Sequence, residues 1–141
     1  MQQIFFHSAD RKLSIARKNK LKDVVAVIFH KEKVLLDRLD YIFCSDDYLL
    51  NINKRFLSHS NYTDIITFDL SDSAKTKGEI YVSIDRVKDN AVVLGNIFYE
   101  ELARVIFHGA LHLCGYKDKK KEEIVVMRQK ESYYLKMLRE L

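Results

Sequence analysis

A chain of 141 residues that contains no proline and only four glycines has few places to break. Proline and glycine are the strongest local punctuation of a fold, because one fixes φ and the other frees it. Without them no linker stands out. Residues 1–141 are therefore expected to form a single domain, an ordinary size for one hydrophobic core. Where glycine does occur it is informative. Gly95 and Gly115 each follow a stretch with apolar residues at helical spacing, the place where a left-handed residue ends a helix.

The apolar periodicity predicts the remaining elements. Residues 3–6 read as a first strand and Leu13 to Phe29 as a helix, although its β-branched second half, Asp23 to Phe29, could pass for a buried strand. Leu39 to Cys44 alternates as a strand. Ser45 then opens a capping pattern for a helix from Asp46 to Leu57, with Leu49, Ile52, Asn53 and Phe56 on one side. Ser58 to Tyr62 is a polar loop, Ile65 to Leu70 a strand, Ser71 to Lys77 a turn and Ile80 to Ile84 a strand. Asp85 is expected to cap a helix ending near Leu94. Helices from Phe98 to Cys114 and from Glu122 to Leu138 follow, separated by the charged loop Lys117 to Lys121. The order β-α-β-α-β-β-α-α-α predicts an α+β fold: one compact domain, a small mixed sheet with helices packed on it.

Apolar residues at 48% and charged residues at 31% place the chain among globular proteins rather than disordered ones. Two cysteines, Cys44 and Cys114, are too few for a disulfide framework or a Cys-rich zinc cluster, and both sit among apolar neighbours. The start Met1-Gln2-Gln3-Ile4-Phe5-Phe6 lacks the pattern of a signal peptide, and the longest apolar run, Val24 to Phe29, is too short to span a bilayer. A cytoplasmic location without membrane contact is expected. The net charge is +4 and unevenly spread: residues 11–38 hold nine Lys or Arg against three Asp or Glu. Such a stretch suits a phosphate backbone, or is simply a solvated helix face.

The segment richest in chemistry is His108-Gly109-Ala110-Leu111-His112-Leu113-Cys114-Gly115-Tyr116-Lys117-Asp118. Two histidines at i and i+4 lie about 40° apart around a helix and about 6 Å apart along it, so both imidazoles can reach one ion. A turn at Gly115 lets Asp118 supply a third ligand. Three protein ligands leave a position open, the arrangement of a catalytic zinc rather than a structural one. A zincin protease would carry Glu directly after the first His; Gly109 stands there, which argues against that chemistry.

These residues resemble the signature of the YbeY family of metallo-endoribonucleases, His-Gly-x-Leu-His-Leu-x-Gly-Tyr-Asp-His, with nine of eleven positions matching when the x positions are free. Ile52-Asn53 followed by Thr63-Asp64-Ile65-Ile66-Thr67-Phe68 is similar to the family's Leu-Asn and Thr-Asp-Val-Leu-Ser-Phe, and Gly78-Glu79-Ile80 to its Gly-Asp-Ile. The resemblance implies one zinc-like ion at the mouth of a basic cleft and cleavage of single-stranded RNA. It also implies maturation of the 3′ end of the 16S ribosomal RNA precursor, and quality control at the ribosome. There are three departures. The family's third ligand is usually His, where this chain has Asp118, preceded by Lys117. Its usual phosphate-contacting Arg aligns with Leu57. Its Pro before Thr is Tyr62.

Cleavage would need positive groups to hold the substrate and stabilise charge on phosphate. Arg55, two residues from Leu57, is the candidate for the family Arg. Arg104 lies one turn before His108 and shares its face, or else pairs with Glu100 or Glu101. Lys117 and Lys119 are candidates for phosphate contacts. Tyr116 could stack on a base or close the loop over the helix. Of the other histidines, His7, His30 and His59, only His59 falls in a loop near these motifs. No spacing singles out a general base. Two further readings use the same residues: an RNA- or ribosome-binding assembly factor whose metal is mainly structural, and an unrelated hydrolase, which Gly109 and the charge disfavour.

Overall fold

A computed structural model of the chain describes residues 3–58 and 62–141. The elements are β1 (Ile4–Ser8), α1 (Lys18–Lys31), β2 (Leu36–Cys44), α2 (Asp46–Leu57), β3 (Ile65–Asp69), β4 (Thr76–Ser83), α3 (Ile84–Leu94), α4 (Phe98–Leu113) and α5 (Lys121–Arg139). The sheet runs β1-β2-β4-β3. β1 pairs parallel to β2 and β2 parallel to β4, while β3 runs antiparallel to β4 and forms one edge. This is the expected α+β fold with a mixed sheet, in the expected element order.

The two faces of the sheet are covered unequally. Leu39, Tyr41 and Phe43 of β2 and Ile80 and Val82 of β4 project from one face into the main core with α1, α3, α4 and α5. On the opposite face Cys44 and Ile66 pack with Leu49 of α2. α4 packs on β3 and β4 and is itself flanked by α1, α3 and α5. Leu102, Ile106, Phe107 and Leu111 are wholly buried there; each such side chain contributes about 1.5–3 kcal/mol of transfer free energy. The helix that carries the two histidines is thus buried along much of its length.

Several boundaries differ from the sequence reading, each for a local reason. The Leu13–Phe29 helix begins only at Lys18. Arg17 precedes it with φ 51°, and no side chain caps it, so the sequence carries no start signal there. The ambiguous Asp23–Phe29 stretch is helical, because Leu21, Val24, Val25 and Ile28 all reach the core from one helix face. β4 starts at Thr76 rather than Ile80. The hidden part includes Gly78, where a Cβ would lie 2.8 Å from Leu113 Cδ1 and 3.2 Å from the Phe68 carbonyl. A side chain there would press on Leu113 and the Phe68 carbonyl, so glycine eases the seating of α4 on the strand. The cap of α3 is Ser83, whose hydroxyl accepts the Arg86 amide at 3.1 Å, not Asp85.

Candidate metal centre

α4 ends in a tight hydrogen-bonded turn. The Tyr116 amide donates to the Leu111 carbonyl and the Gly115 amide to the His112 carbonyl, both at 3.0 Å. Gly115 adopts φ +102°, a conformation that L side chains rarely reach. This Schellman-type closure reverses the chain and returns it along the helix. Asp118 consequently lies over the two histidines: its Oδ2 is 3.2 Å from His108 Nε2 and 3.4 Å from His112 Nε2. The three ligand atoms fall within 4.8 Å of one another. The spacing argument that placed these residues together is realised in the geometry.

Each imidazole is oriented from behind. His108 Nδ1 lies 2.6 Å from Glu131 Oε2 and His112 Nδ1 lies 2.8 Å from the Tyr116 carbonyl oxygen. A carboxylate and a carbonyl only accept, so each Nδ1 carries the proton and each Nε2 lone pair points toward Asp118. A proton fixed on the rear nitrogen by a hydrogen bond is the usual support of a metal-binding histidine. Two such lone pairs and a carboxylate oxygen are a donor set that fits a divalent transition ion, with room for further ligands on the open side.

The support behind His108 is charged and deep. Glu131 is 1% and Glu101 0% exposed. Arg104 joins them, donating to both Glu101 oxygens and, at 3.2 Å, to Glu131 Oε1. Burial would push the Glu131 carboxyl up. The hydrogen bond from His108 and the charges of Arg104 and Arg128 outweigh it and hold the carboxyl below its ordinary value. The support behind His112 is a backbone carbonyl. Its residue is tied down by the Tyr116 hydroxyl, which donates to Glu32 at 2.6 Å; Glu32 also accepts from Tyr134 at 2.8 Å and Lys130 at 3.1 Å.

The cluster opens into a cleft of about 780 Å³. Its walls are β3, the end of α2 (Asn53 and Leu57) and Lys119. The other residues proposed from sequence are distributed as follows. Arg55 lies on a different surface, beside Tyr48 and Asn51. At 100° per residue it points about 200° away from Asn53, so α2 presents Leu57, not Arg55, to the cleft. Arg104 takes the ion-pair alternative, with Glu101. Tyr116 closes the turn rather than facing the cleft, and Lys117 is exposed on the loop outside the cleft walls. His7 pairs with Asp40 at 2.7 Å, His30 is exposed, and His59 lies outside the described residues. Residues 11–38 contribute nothing to the cleft walls. Several of their cations have partners elsewhere: Arg11 pairs with Asp85, Arg38 with Asp40, and Lys22 lies over the Phe6 ring. Burial raises both thiols, Cys44 and Cys114, to about 12, so both stay protonated and inert near neutrality.

Sequence reasoning missed Glu131, Arg128 and Asp64. One signal pointed to Glu131: it interrupts the buried stripe Met127, Tyr134, Leu135, Leu138 of α5, where a lone carboxylate needs a buried partner. Asp64 lines both the main cleft and a smaller side cavity, a consequence of β3 running along the cleft.

A helix-borne His pair with a returning carboxylate, open to a cleft at a sheet edge, defines a single-domain protein built around a site able to hold one metal ion. The profile of the Endoribonuclease YbeY family matches residues 3–139. Endoribonuclease YbeY of Cytophaga hutchinsonii is 46% identical over 137 residues, 96% of each chain. That of Flavobacterium psychrophilum is 50% identical over 99 residues, 70% of this chain and 71% of its own. A Thermotoga maritima protein solved in solution superposes with a TM-score of 0.66 at 28% identity, covering 96% of this chain and 88% of that one. The chain belongs to the YbeY endoribonuclease family.

Proposed function

We propose that the protein is a zinc-dependent endoribonuclease that cuts single-stranded RNA. On this reading it acts in the cytoplasm on the 3′ end of the 16S ribosomal RNA precursor, in association with the ribosome. The observation that carries the reading is the convergence of His108 Nε2 and His112 Nε2 on Asp118 Oδ2 at the open side of the cleft. Relatives over nearly the whole chain bear the endoribonuclease name, and no helix among the described residues is long and apolar enough to cross a membrane. Two imidazoles and one carboxylate suit zinc or another divalent transition ion, with a harder, more anionic character than three imidazoles would give.

Bound there, the ion supplies Lewis acidity to a phosphoryl oxygen and acidifies water. The residues of this chain do the rest. Glu131 and the Tyr116 carbonyl keep the two rear nitrogens protonated, so the ligand lone pairs stay available. Lys119 on the cleft wall meets the substrate backbone. On this reading Asp64, a carboxylate on the walls of both cleft and side cavity, would take up a proton. A cleft with its reactive centre at the inner wall favours a strand whose backbone can bend toward it, which a duplex resists.

The test compares matched single-stranded RNA, duplex RNA and single-stranded DNA, with and without chelator, and with His112→Ala beside the wild type. Cleavage of single-stranded RNA alone, lost with chelator and in His112→Ala, is expected. Equal cleavage by both proteins would assign the activity to a contaminant and leave the assembly-factor reading in front. Elemental analysis sharpens the ligand assignment: Asp118→Ala should lose most of its metal and Asp118→His should keep it. Full occupancy in Asp118→Ala would remove Asp118 from the site.

A further inference from the structure

Beside the metal cluster, on its α5 side, lies a second cavity of about 180 Å³ bounded by Asp64, Arg104, His108, Asp118 and Arg128. It shares His108 and Asp118 with the main cleft, so whatever occupies it lies next to the reacting centre. Two guanidiniums border it, and they are not equivalent. Arg104 is 16% exposed, and all three of its nitrogens are committed to Glu101 and Glu131. Arg128 is 59% exposed and makes a single hydrogen bond among the described residues, from Nη1 to Glu131 Oε1 at 3.2 Å. A guanidinium has five N–H donors, so Arg128 keeps four that no described residue takes up.

Glu131 joins Arg128 to the metal site. One of its oxygens faces His108 Nδ1 and the other holds both arginines. The carboxylate that orients a ligand histidine therefore also anchors a guanidinium with spare donors at the rim of the same site. Arginine is the residue best matched to phosphate, since its planar fork can meet two oxygens at once. On the opposite wall, the end of α2 offers Leu57 and no cation.

We propose that Arg128 is the phosphate-binding arginine of this protein: the side cavity takes a phosphate of the substrate strand, held by the Arg128 fork while the ligand cluster engages the neighbouring reacting group. The inference rests on the reading of the cleft as an RNA-cleaving site. It adds the residue that grips the strand and the side from which the strand enters, between α5 and β3. Glu131 neutralises part of the local charge, and its role here is positioning: it aims the fork without consuming it.

The experiment measures Arg128→Ala, Arg128→Lys and, as a charge-matched control on the exposed face of α3, Lys88→Ala. Three quantities are read: metal content, steady-state constants for single-stranded RNA, and the salt dependence of RNA binding in a His112→Ala background that cannot turn over. Loss of one charged hydrogen-bond pair to phosphate predicts a roughly tenfold to hundredfold fall in kcat/KM for Arg128→Ala at unchanged metal content. The slope of log K against log salt should flatten by about 0.7, the value for one phosphate contact to a single strand. Arg128→Lys should restore the salt slope and only part of kcat/KM, because it keeps the charge and loses the fork. Lys88→Ala should change none of these.

An Arg128→Ala protein with wild-type kcat/KM and salt slope would overturn the proposal. So would one that loses metal in proportion to activity, since Arg128 would then act only through Glu131 and His108. If the wild type itself cleaves no RNA, the nuclease reading fails. The salt slope in the binding assay would still decide whether Arg128 grips phosphate.

Discussion

His108 and His112 stand four residues apart on one helix and serve one site, yet the molecule holds them by unlike means. Behind His108 is a buried network of four charged groups, Glu131, Arg104, Glu101 and, at its rim, Arg128. Behind His112 is a peptide carbonyl fixed by a turn. The first support depends on α5 packing against α4, a tertiary contact spanning 23 residues of sequence. The second is local, closed by Gly115 and then tethered through Tyr116 to Glu32, 84 residues away. The difference teaches where each ligand is vulnerable. The His108 side should fail through uncompensated charge, and the His112 side through backbone geometry.

The largest effect is expected at Glu131. Glu131→Ala would leave Arg104 and the His108 N–H facing a buried gap, a loss of about 3–5 kcal/mol by analogy with broken buried ion pairs. Glu131→Gln keeps the shape and should fold, with metal affinity lowered roughly 10–100-fold, the usual effect of removing a partner behind a ligand. Chemical denaturation and metal titration check the two variants. A Glu131→Gln protein with unaltered metal affinity would mean that the carboxylate does not set the His108 tautomer.

Gly115→Ala comes next. A side chain at φ +102° should cost about 1–2 kcal/mol. If the turn relaxes, the Tyr116 carbonyl leaves His112 and Asp118 shifts with it. Metal affinity should therefore fall by more than the stability change alone accounts for, as read by parallel thermal unfolding and zinc titration. An affinity unchanged at reduced stability would separate the turn from the site.

The smallest effect is at Glu32. Burial tends to raise its carboxyl, but hydrogen bonds from Tyr116, Tyr134 and Lys130, with the Lys130 charge, hold it below the ordinary value of 4.5. A folded-state pKa below the unfolded one stabilises fully above the unfolded value, and the gain disappears as pH falls through the folded value. Unfolding measured from pH 7 down to pH 3 should show this loss below about pH 4.5 in the wild type. In Glu32→Gln, less stable by about 1 kcal/mol at neutral pH, that part of the acid sensitivity should be missing. Identical pH profiles would exclude Glu32 as the tether.

The same division explains what could be read from the residues alone. His108, His112 and Asp118 were legible because helix geometry and one glycine turn fix their relation within eleven residues. The order of elements followed from periodicity. Glu131 left only the trace of a carboxylate within an apolar stripe and Arg128 none, because their place at the site depends on how α5 lies across α4. Arg55 was offered for its chain proximity to Leu57, but two residues along a helix is the opposite side. The basic stretch at 11–38 failed as a guide for a similar reason. The stretch builds α1 and the segments that flank it, none of it lines the cleft, and cations such as Arg11 and Arg38 pair with Asp85 and Asp40 instead. The start of β4 was hidden because Ser71 to Lys77 reads as a polar turn, although the strand already begins at Thr76; Gly78, within it, packs against Leu113 of α4.

The central claim is that His108, His112 and Asp118 hold one ion that the protein needs for cutting RNA but not for folding. The direct measurement is a titration of metal-free protein with zinc, following cleavage of single-stranded RNA and far-UV circular dichroism on the same samples. The account predicts a folded metal-free protein with no activity, and activity that rises to a plateau at one equivalent of zinc while the dichroism spectrum stays constant. Cleavage by the fully metal-free protein, or a fold that appears only as zinc is added, would contradict it.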